Sequence, residues 1–484
     1  MPPNDGDRST DRSFGLRYWM ERVLEEIDRA SRDFAPDPVH DLRVALRRCR
    51  SMARGFMAID SHKAWNALQK EARQLFRSLG KLRDVQVMKE WVLRIGTAED
   101  PVALAILGHL DRSEHELKLE AVRTLRAFDR ERWRVWLGRL HDRTRPLTSA
   151  GGVFQLITLQ AWTEAYWLHK QALRNRSAVA YHRLRIGVKK FRYSVENFLP
   201  ALHEEWGGDL KEIQDGLGEA QDLRVLWGTL LQLRPFPDPE SRERWRDLIA
   251  GERAKRIGQY REKMVGRSSL WRVWRQALPP QDRLQPLSLQ TLEKWASFHG
   301  IDLVRARHVR RLALQLYDGL SRGRSATGGD VRDRRALLHV AAILHELGRA
   351  GRKKNDDGSP AGLLRQLPSM PGLPPESLHR AVLVIRCQRG RSRDLEKDDV
   401  TALPEDQRQL VMELAGILRL ARALARGGDV AVRSVTFEPA GGLVVIRVAG
   451  YDEFGPLAEK VARARCLLER VYQQPIMVRS LPGN

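Results

Sequence analysis

Apolar side chains recur at intervals of three and four along almost all of the first 278 positions, as in Leu16, Trp19, Met20, Val23, Leu24 and Ile27. That spacing keeps one face of a helix apolar and predicts amphipathic helices packed on one another. Alternation at period two, the mark of a half-buried strand, is almost absent there. Turn chemistry interrupts the pattern at Ala35-Pro-Asp-Pro, from Gly96 to Pro101, at Arg145-Pro-Leu-Thr-Ser-Ala-Gly-Gly and at Pro235-Phe-Pro-Asp-Pro. The prolines at 279, 280 and 286 read as a linker over 279–287, after which helical periodicity resumes. Near the end, Ser434-Val-Thr-Phe-Glu, a Gly441-Gly442 turn and Leu443-Val-Val-Ile-Arg-Val predict a β-hairpin. A helix over about 456–472 and a short strand at Ile476-Met-Val-Arg follow it. The expected chain is mainly α, with a flexible stretch at 1–11 and a large helical domain at 12–278. A smaller helical domain at 288–484, closing in an α+β segment, comes after the linker.

The helical pattern contains a repeat. His40-Asp-Leu-Arg43-Val-Ala-Leu-Arg47-Arg48-Cys-Arg50 returns as His182-Arg-Leu-Arg185-Ile-Gly-Val-Lys189-Lys190-Phe-Arg192, an offset of 182 − 40 = 142. Downstream, Leu79-Gly80-Lys-Leu-Arg-Asp84 returns as Leu217-Gly218-Glu-Ala-Gln-Asp222, at 222 − 84 = 138. Two ordered blocks at nearly constant offset predict a duplicated unit with halves at about 12–145 and 150–278. On a helix, His40, Arg43, Arg47 and Arg50 share an arc of roughly 80°, and Leu42, Leu46 and Cys49 lie opposite. The second copy sets His182, Arg185, Lys189 and Arg192 against Leu184, Val188 and Phe191 in the same way. A solvated helix face normally interleaves acids with bases, whereas stacked like charges repel. A cationic ridge that recurs in both copies therefore points to a bound anion, for which arginine forks suit phosphate oxygens. Lys190 belongs with this set, and Lys81 and Lys211, with Arg73 and Arg77, are candidates for a second wall of the same groove. Asp84 and Asp222 fit the orienting of an arginine, or a helix cap, better than acid catalysis.

Composition sharpens the picture. Lys+Arg 84 against Asp+Glu 61 gives a formal charge of +23, which calls for a polyanionic partner: nucleic acid, acidic membrane or polyphosphate. No stretch reaches about 18 uninterrupted apolar residues and the first residues carry no apolar leader, so no membrane association is expected. Cys49, Cys387 and Cys466 lack metal-ligand spacing and read as free thiols of a cytoplasmic protein.

The basic helix H-x-L-R-x-x-x-[RK]-[RK]-x-R, its duplication and the paired L-G-…-D blocks resemble the CHAD domain, the conserved histidine α-helical domain, over residues 12–278. The resemblance implies an antiparallel bundle in two pseudo-symmetric halves around a basic groove, binding of inorganic polyphosphate without catalysis, and a place at polyphosphate granules. Its polyphosphate ligands would be His40, Arg43, Arg47, Arg50, His182, Arg185, Lys189, Lys190 and Arg192. The second half departs from the first at Gln221, where the first has Arg83. A tunnel-enzyme signature, E-x-E-x-K, occurs at Glu114, Glu116 and Lys118. It falls in helix-periodic sequence, where residues two apart do not share a face.

Residues 288–484 resemble the HD-like C-terminal domain of the exopolyphosphatase/guanosine pentaphosphatase (Ppx/GppA) family, through the stretches around His308, His345-Glu346-Leu-Gly348 and Ile417-Leu-Arg-Leu-Ala-Arg422. An HD site implies a metal held by a distant histidine, a His-Asp pair and a late aspartate. Here His308 and His345 remain, Glu346 replaces the paired aspartate, and Arg422 stands at the late carboxylate. A guanidinium cannot ligate a cation, so no metal and no cofactor are expected, and His345 and Glu346 are the weak candidates for any catalysis. Cys387-Gln388-Arg389 stands where relatives carry Tyr-His-Arg. Arg305, Arg307, Arg310, Arg311, Arg352, Lys353, Lys354, Arg386, Arg389, Arg391 and Arg393 are candidates to extend an anion-binding surface. Two other functions stay open at this point: a phosphohydrolase acting at a variant HD site, and nucleic-acid binding through the same basic surface. No helix-turn-helix, zinc-finger or RNA-recognition motif supports a specific nucleic acid.

Overall fold

The structure, a computed structural model, describes residues 15–321, 328–347, 367, 370–389, 398–426, 432, 434–440 and 442–481. It divides into two units, residues 1–280 and 281–484. The expected flexible segment 1–11, and Arg352, Lys353, Lys354, Arg391 and Arg393, lie outside the described residues.

The first unit is helical throughout its described residues. Its first half holds α1 (Leu16–Asp33), α2 (Pro36–Met57), α3 (Lys63–Ile95), α4 (Pro101–Arg126) and α5 (Arg130–Thr144). Its second half holds α6 (Gly152–Asn175), α7 (Ala178–Phe198), α8 (Pro200–Leu233), α9 (Pro239–Met264) and α10 (Leu270–Ala277). The turn chemistry sets the starts: proline opens α2, α4, α8 and α9, and Asp100, Asp129 and Ser177 accept backbone N–H bonds as N-caps of α4, α5 and α7. The buried faces are the apolar ones, with Leu42, Leu46, Cys49, Leu184, Val188 and Phe191 all at 0 % exposure. Within the unit α2 packs on α1 and α3, α7 on α6 and α8, and the two sets meet where α2 crosses α7 and α3 crosses α8. Gly55 allows that approach, because a Cβ there would stand 2.4 Å from Cζ of Phe198. The Phe198 ring stacks on Phe154 at 4.3 Å between centroids, sealing the end of the crossing. The tryptophans Trp65, Trp133, Trp245, Trp271 and Trp274 are fully buried core residues. Glu114, Glu116 and Lys118 all lie in α4, where Glu114 pairs with Lys118 at 3.3 Å and with Lys89 at 2.7 Å. Glu114 and Lys118 of the signature thus form a helical ion-pair cluster with Lys89.

The second unit comprises α11 (Gln281–Phe298), α12 (Leu303–Leu320), α13 (Gly328–Leu344), α14 (Pro375–Cys387), a single helical turn at Asp398–Thr401, α15 (Glu405–Leu424), α16 (Ala458–Tyr472) and three strands. α11 runs through residues 281–287, with Pro286 in its second turn, where only one backbone donor is lost. Strands β1 (Val435–Ala440) and β2 (Leu443–Val448) form the antiparallel hairpin, with Gly442 at φ 83° in its turn. β3 (Ile476–Ser480) adds in parallel to β2, which requires the intervening α16 as a crossover. α15 is the central helix, buried among α12, α13, α14 and α16.

A half-buried carboxylate organises one edge of this unit. Glu293 of α11 accepts from Arg307 Nε at 2.9 Å, from Arg310, and faces His339 Nε2 at 3.3 Å. Against the cost of burial, these partners hold its carboxyl down at about 2. A carboxylate with a lowered folded pKa adds stability that is present above the ordinary glutamate range and is lost as pH falls toward 2. Glu293→Gln is therefore expected to lower the thermal midpoint of this unit at pH 7, with the difference from the parent shrinking as pH approaches 2 in unfolding scans.

Candidate anion site

The α2–α7 crossing turns two separate ridges into one site. Arg43, Arg47 and Arg50 come from α2, and Arg185, Lys189 and Arg192 from α7, all partly buried. They act on one another electrostatically across the crossing: Lys189 feels Arg47 and Arg43 as well as Arg185, and Arg185 feels Arg47. Among the described ion pairs none involves Arg43, Arg47, Arg50, Arg185 or Lys189. The hydrogen-bond and ring partners of Arg43, Arg47 and Arg50 are neutral, while Asp84 and Asp222 act on Arg43 and Arg185 at longer range. Arg43 donates to the Phe76 carbonyl at 2.9 Å and lies 4.2 Å above that ring, which Arg50 also approaches at 5.0 Å. Arg47 donates to Tyr193 Oη at 2.6 Å. The Nε atoms of Arg47, Arg185 and Arg192 are buried and donate to no protein acceptor. Buried donors of this kind are costly unless a ligand or water accepts from them.

Titration shifts report the same crowding. Burial, then Arg185 and Arg47, push the Lys189 ammonium down to about 7. Burial pushes the Arg43 and Arg50 guanidinium groups down to about 10, which leaves them charged at neutral pH. Partial desolvation and then Arg83 lower His40, and desolvation and then Arg185 lower His182. The departure at Gln221 has a structural consequence, since its side chain hydrogen-bonds His182, whereas His40 faces the Arg83 charge. Asp84 and Asp222 sit in the middle of α3 and α8, so neither caps a helix. Both face Arg185 and Lys189, yet desolvation raises both, Asp222 to about 6.

Not every sequence candidate stands in this cluster. Lys190 pairs with Glu164 at 2.7 Å and Lys211 with Asp215 at 2.9 Å, both at the surface. Arg192 shares Glu196 with Arg48, at 3.7 Å for its own Nε. Lys81 is exposed on α3. Arg73 and Arg77, by contrast, reach the neighbourhood of Arg50. Arg48, the other basic residue of the motif, is a tie between helices: it bonds Glu196 and Asn197 of α7 and lies 4.9 Å over Trp19. The ridge also extends further than its motif. A cavity of about 870 Å³ opens beside it, lined by Arg47, Arg50, Arg54 and Lys189, with the Lys190–Glu164 pair on its wall. Arg54 continues the 43, 47, 50 spacing by four, a signal available in the sequence. Phe76 and Tyr193, which hold the arginines, carry no such signal because each acts across a helix–helix contact.

In the second unit three of the HD-type positions lie together, His345 Nε2 standing 3.6 Å from Glu346 and feeling the Arg422 charge, but their chemistry does not suit a cation. His345 is 1 % exposed and bonds the Ala342 carbonyl through Nδ1 at 2.7 Å. Burial, with the Arg422 charge, pushes it down to about 4. Glu346 pairs with Arg305 at 3.4 Å, and His308 accepts from Arg311 at 3.0 Å. Among the described residues no group of three or more His, Cys, Asp or Glu side chains is placed to hold a metal ion. The residues present do not fit the metal that an HD site implies. Of the cations expected to extend an anion surface, Arg305, Arg307 and Arg310 are engaged with Glu346 and Glu293.

Residues 16–231 match the family described as the CHAD domain, and residues 288–438 match domain III of the Ppx/GppA phosphatases. Among solved structures the chain is similar to the CHAD domain from the plant Ricinus communis, at 22 % identity and a TM-score of 0.40, over 58 % of this chain and 98 % of that one. No curated protein matches the chain. No helix among the described residues is long and apolar enough to cross a membrane.

Proposed function

The chain carries a CHAD domain followed by a Ppx/GppA phosphatase domain III, and from that premise we propose that it binds inorganic polyphosphate in the groove between α2 and α7 without cleaving it. The pair of domains points to polyphosphate-related function, and one observation carries the choice of binding. Arg43, Arg47, Arg50, Arg185 and Lys189 converge on one space, none of them in a described ion pair, with buried Nε donors of Arg47 and Arg185 that meet no protein acceptor. A polyphosphate strand offers closely spaced anionic oxygens that satisfy those donors and relieve the mutual repulsion of the cations. Arg43, Arg47, Arg50, Arg185 and Lys189 outnumber the two carboxylates that face them, Asp84 and Asp222, which favours capture of an anion over its cleavage. A cytoplasmic location and association with polyphosphate granules accord with this reading.

Competition tests the choice of polyanion. Long-chain polyphosphate should resist displacement by duplex DNA or RNA at equal phosphate concentration, because the described residues of the groove include no element that reads a nucleic-acid groove. Displacement by either duplex at equal phosphate would overturn the polyphosphate assignment.

Binding should also strengthen as pH falls from 8.5 to 5.5. Lys189 gains its proton through about 7, Asp222 loses its negative charge through about 6, and His40 and His182 charge below their ordinary range. Each change makes the groove more positive, so an anion draws protons in. Calorimetry in buffers of differing ionisation enthalpy should report net proton uptake near pH 7, and Lys189→Gln should reduce it.

A further inference from the structure

A second cationic cleft lies wholly within the second unit. Arg419, Arg422 and Arg426 occur along α15 and its C-terminal end at intervals of three and four, which puts them within an arc of about 60° on one helix face. Lys460 and Arg463, three apart on α16, face the same cavity of about 450 Å³, and Arg389 closes it. That volume lies at the small end of ligand-sized sites.

Neighbouring oxygens fix these groups. Arg419 donates to the carbonyls of Cys387 at 2.8 Å and Gln388 at 3.1 Å, Arg389 to those of His345 and Leu347, and Arg422 to Oε1 of Gln388. The cleft is therefore built from the Cys387-Gln388-Arg389 segment and from Arg422, the residue at the position of the late HD carboxylate. Among the described residues its lining has no carboxylate to bind a cation or a ribose, and no aromatic ring to stack a base.

We propose that this cleft is a second phosphoanion site, which takes a short inorganic oligophosphate such as tripolyphosphate where an HD centre would have held a metal. Arginine forks around a small cavity match the tetrahedral spread of phosphate oxygens, and Lys460 adds charge from the facing helix, where Arg463 is shared with Glu459. The assignment does not rest on the reading of the first unit.

Cys466 supplies a local reporter. It is the exposed cysteine of the three, Cys49 and Cys387 being buried, and it acts electrostatically on Arg419. In the full chain labelled at Cys466 with an environment-sensitive fluorophore, tripolyphosphate should give a saturable change. Arg426→Gln/Lys460→Gln removes two exposed cations and should weaken that response at least about tenfold, whereas the control Arg332→Gln/Arg408→Gln should shift it by less than about twofold. The double variant Arg47→Ala/Arg185→Ala should leave it unchanged, which separates this site from the groove of the first unit. Absence of a saturable change, equal losses in the control, or loss in the Arg47/Arg185 variant would overturn the proposal. A nucleoside triphosphate that binds more tightly than tripolyphosphate would overturn its inorganic character.

Discussion

Replacing Arg47 and Arg185 together by alanine is expected to weaken polyphosphate binding about a hundredfold or more. One residue comes from each half of the duplicated bundle, and each holds a buried Nε that meets no protein acceptor. Charge-assisted bonds contribute about 1.5–3 kcal/mol apiece, so two of them amount to about two to four decades in Kd. The control removes the same charge elsewhere on the unit: Arg145→Ala/Arg267→Ala, both exposed, should lose only what long-range attraction supplies, a few-fold at physiological salt. Equal losses in the two double variants would mean that +23 acts diffusely, and the groove would not be the site. A second readout distinguishes binding from architecture. Arg185 is partly buried between the Asp222 carboxylate and the Arg47 charge, so Arg185→Met, which keeps the apolar stem, should change the melting temperature of the ligand-free protein little while it weakens binding. A fall in stability that tracks the fall in affinity would assign Arg185 to the scaffold.

The largest stability loss in the first unit is expected at Asp60. This carboxylate is 2 % exposed, takes the Trp65 indole N–H at 2.7 Å, and accepts from Nε and Nη2 of Arg143 at 2.5 and 2.6 Å. It also accepts from the backbone N–H of His62 at 3.1 Å, so it ties the start of α3 to the end of α5. Asp60→Ala strands the indole donor in the core, whereas Arg143 sits part-exposed and can turn to water. The cost should be about 3 kcal/mol rather than the upper range for a broken buried pair. For a unit of this size that corresponds to roughly 6–12 °C in melting temperature. Asp60→Asn keeps one acceptor and should fall between. A melting temperature within about 2 °C of the parent for Asp60→Ala would show that this network is not a structural tie.

Much of the architecture was legible because it depends on local periodicity. The three-and-four spacing from Leu16 to Ile27 fixed a buried face, the prolines at 36, 101 and 239 fixed helix starts, and Gly442 marked the turn of the hairpin. The stretch 281–287 shows the limit of such reading, since Pro286 is compatible with a loop and equally with an early helical turn. The ridge arginines were legible for the same reason as the core: a face that repels itself is visible in spacing alone. Lys190 and Lys211 carried the same signal, yet each meets a carboxylate, Glu164 or Asp215, so spacing alone does not separate them from the ridge. Arg48 shows this most clearly, since it is adjacent to Arg47 yet points to Glu196, Asn197 and Trp19.

The sequence by itself determined that two basic helix faces exist and that they are copies. Side-chain direction along a helix follows from position, so these properties need no fold. Only the tertiary structure decided that the two faces meet, because Gly55 lets α2 approach α7 closely enough for Arg47 to reach Tyr193 and for Lys189 to feel both ridges. It also decided that Arg422 belongs to a cleft with Arg419, Arg389 and Lys460. Electrostatic interaction depends on distance through space, and residues 142 positions apart acquire that distance only when the chain is packed.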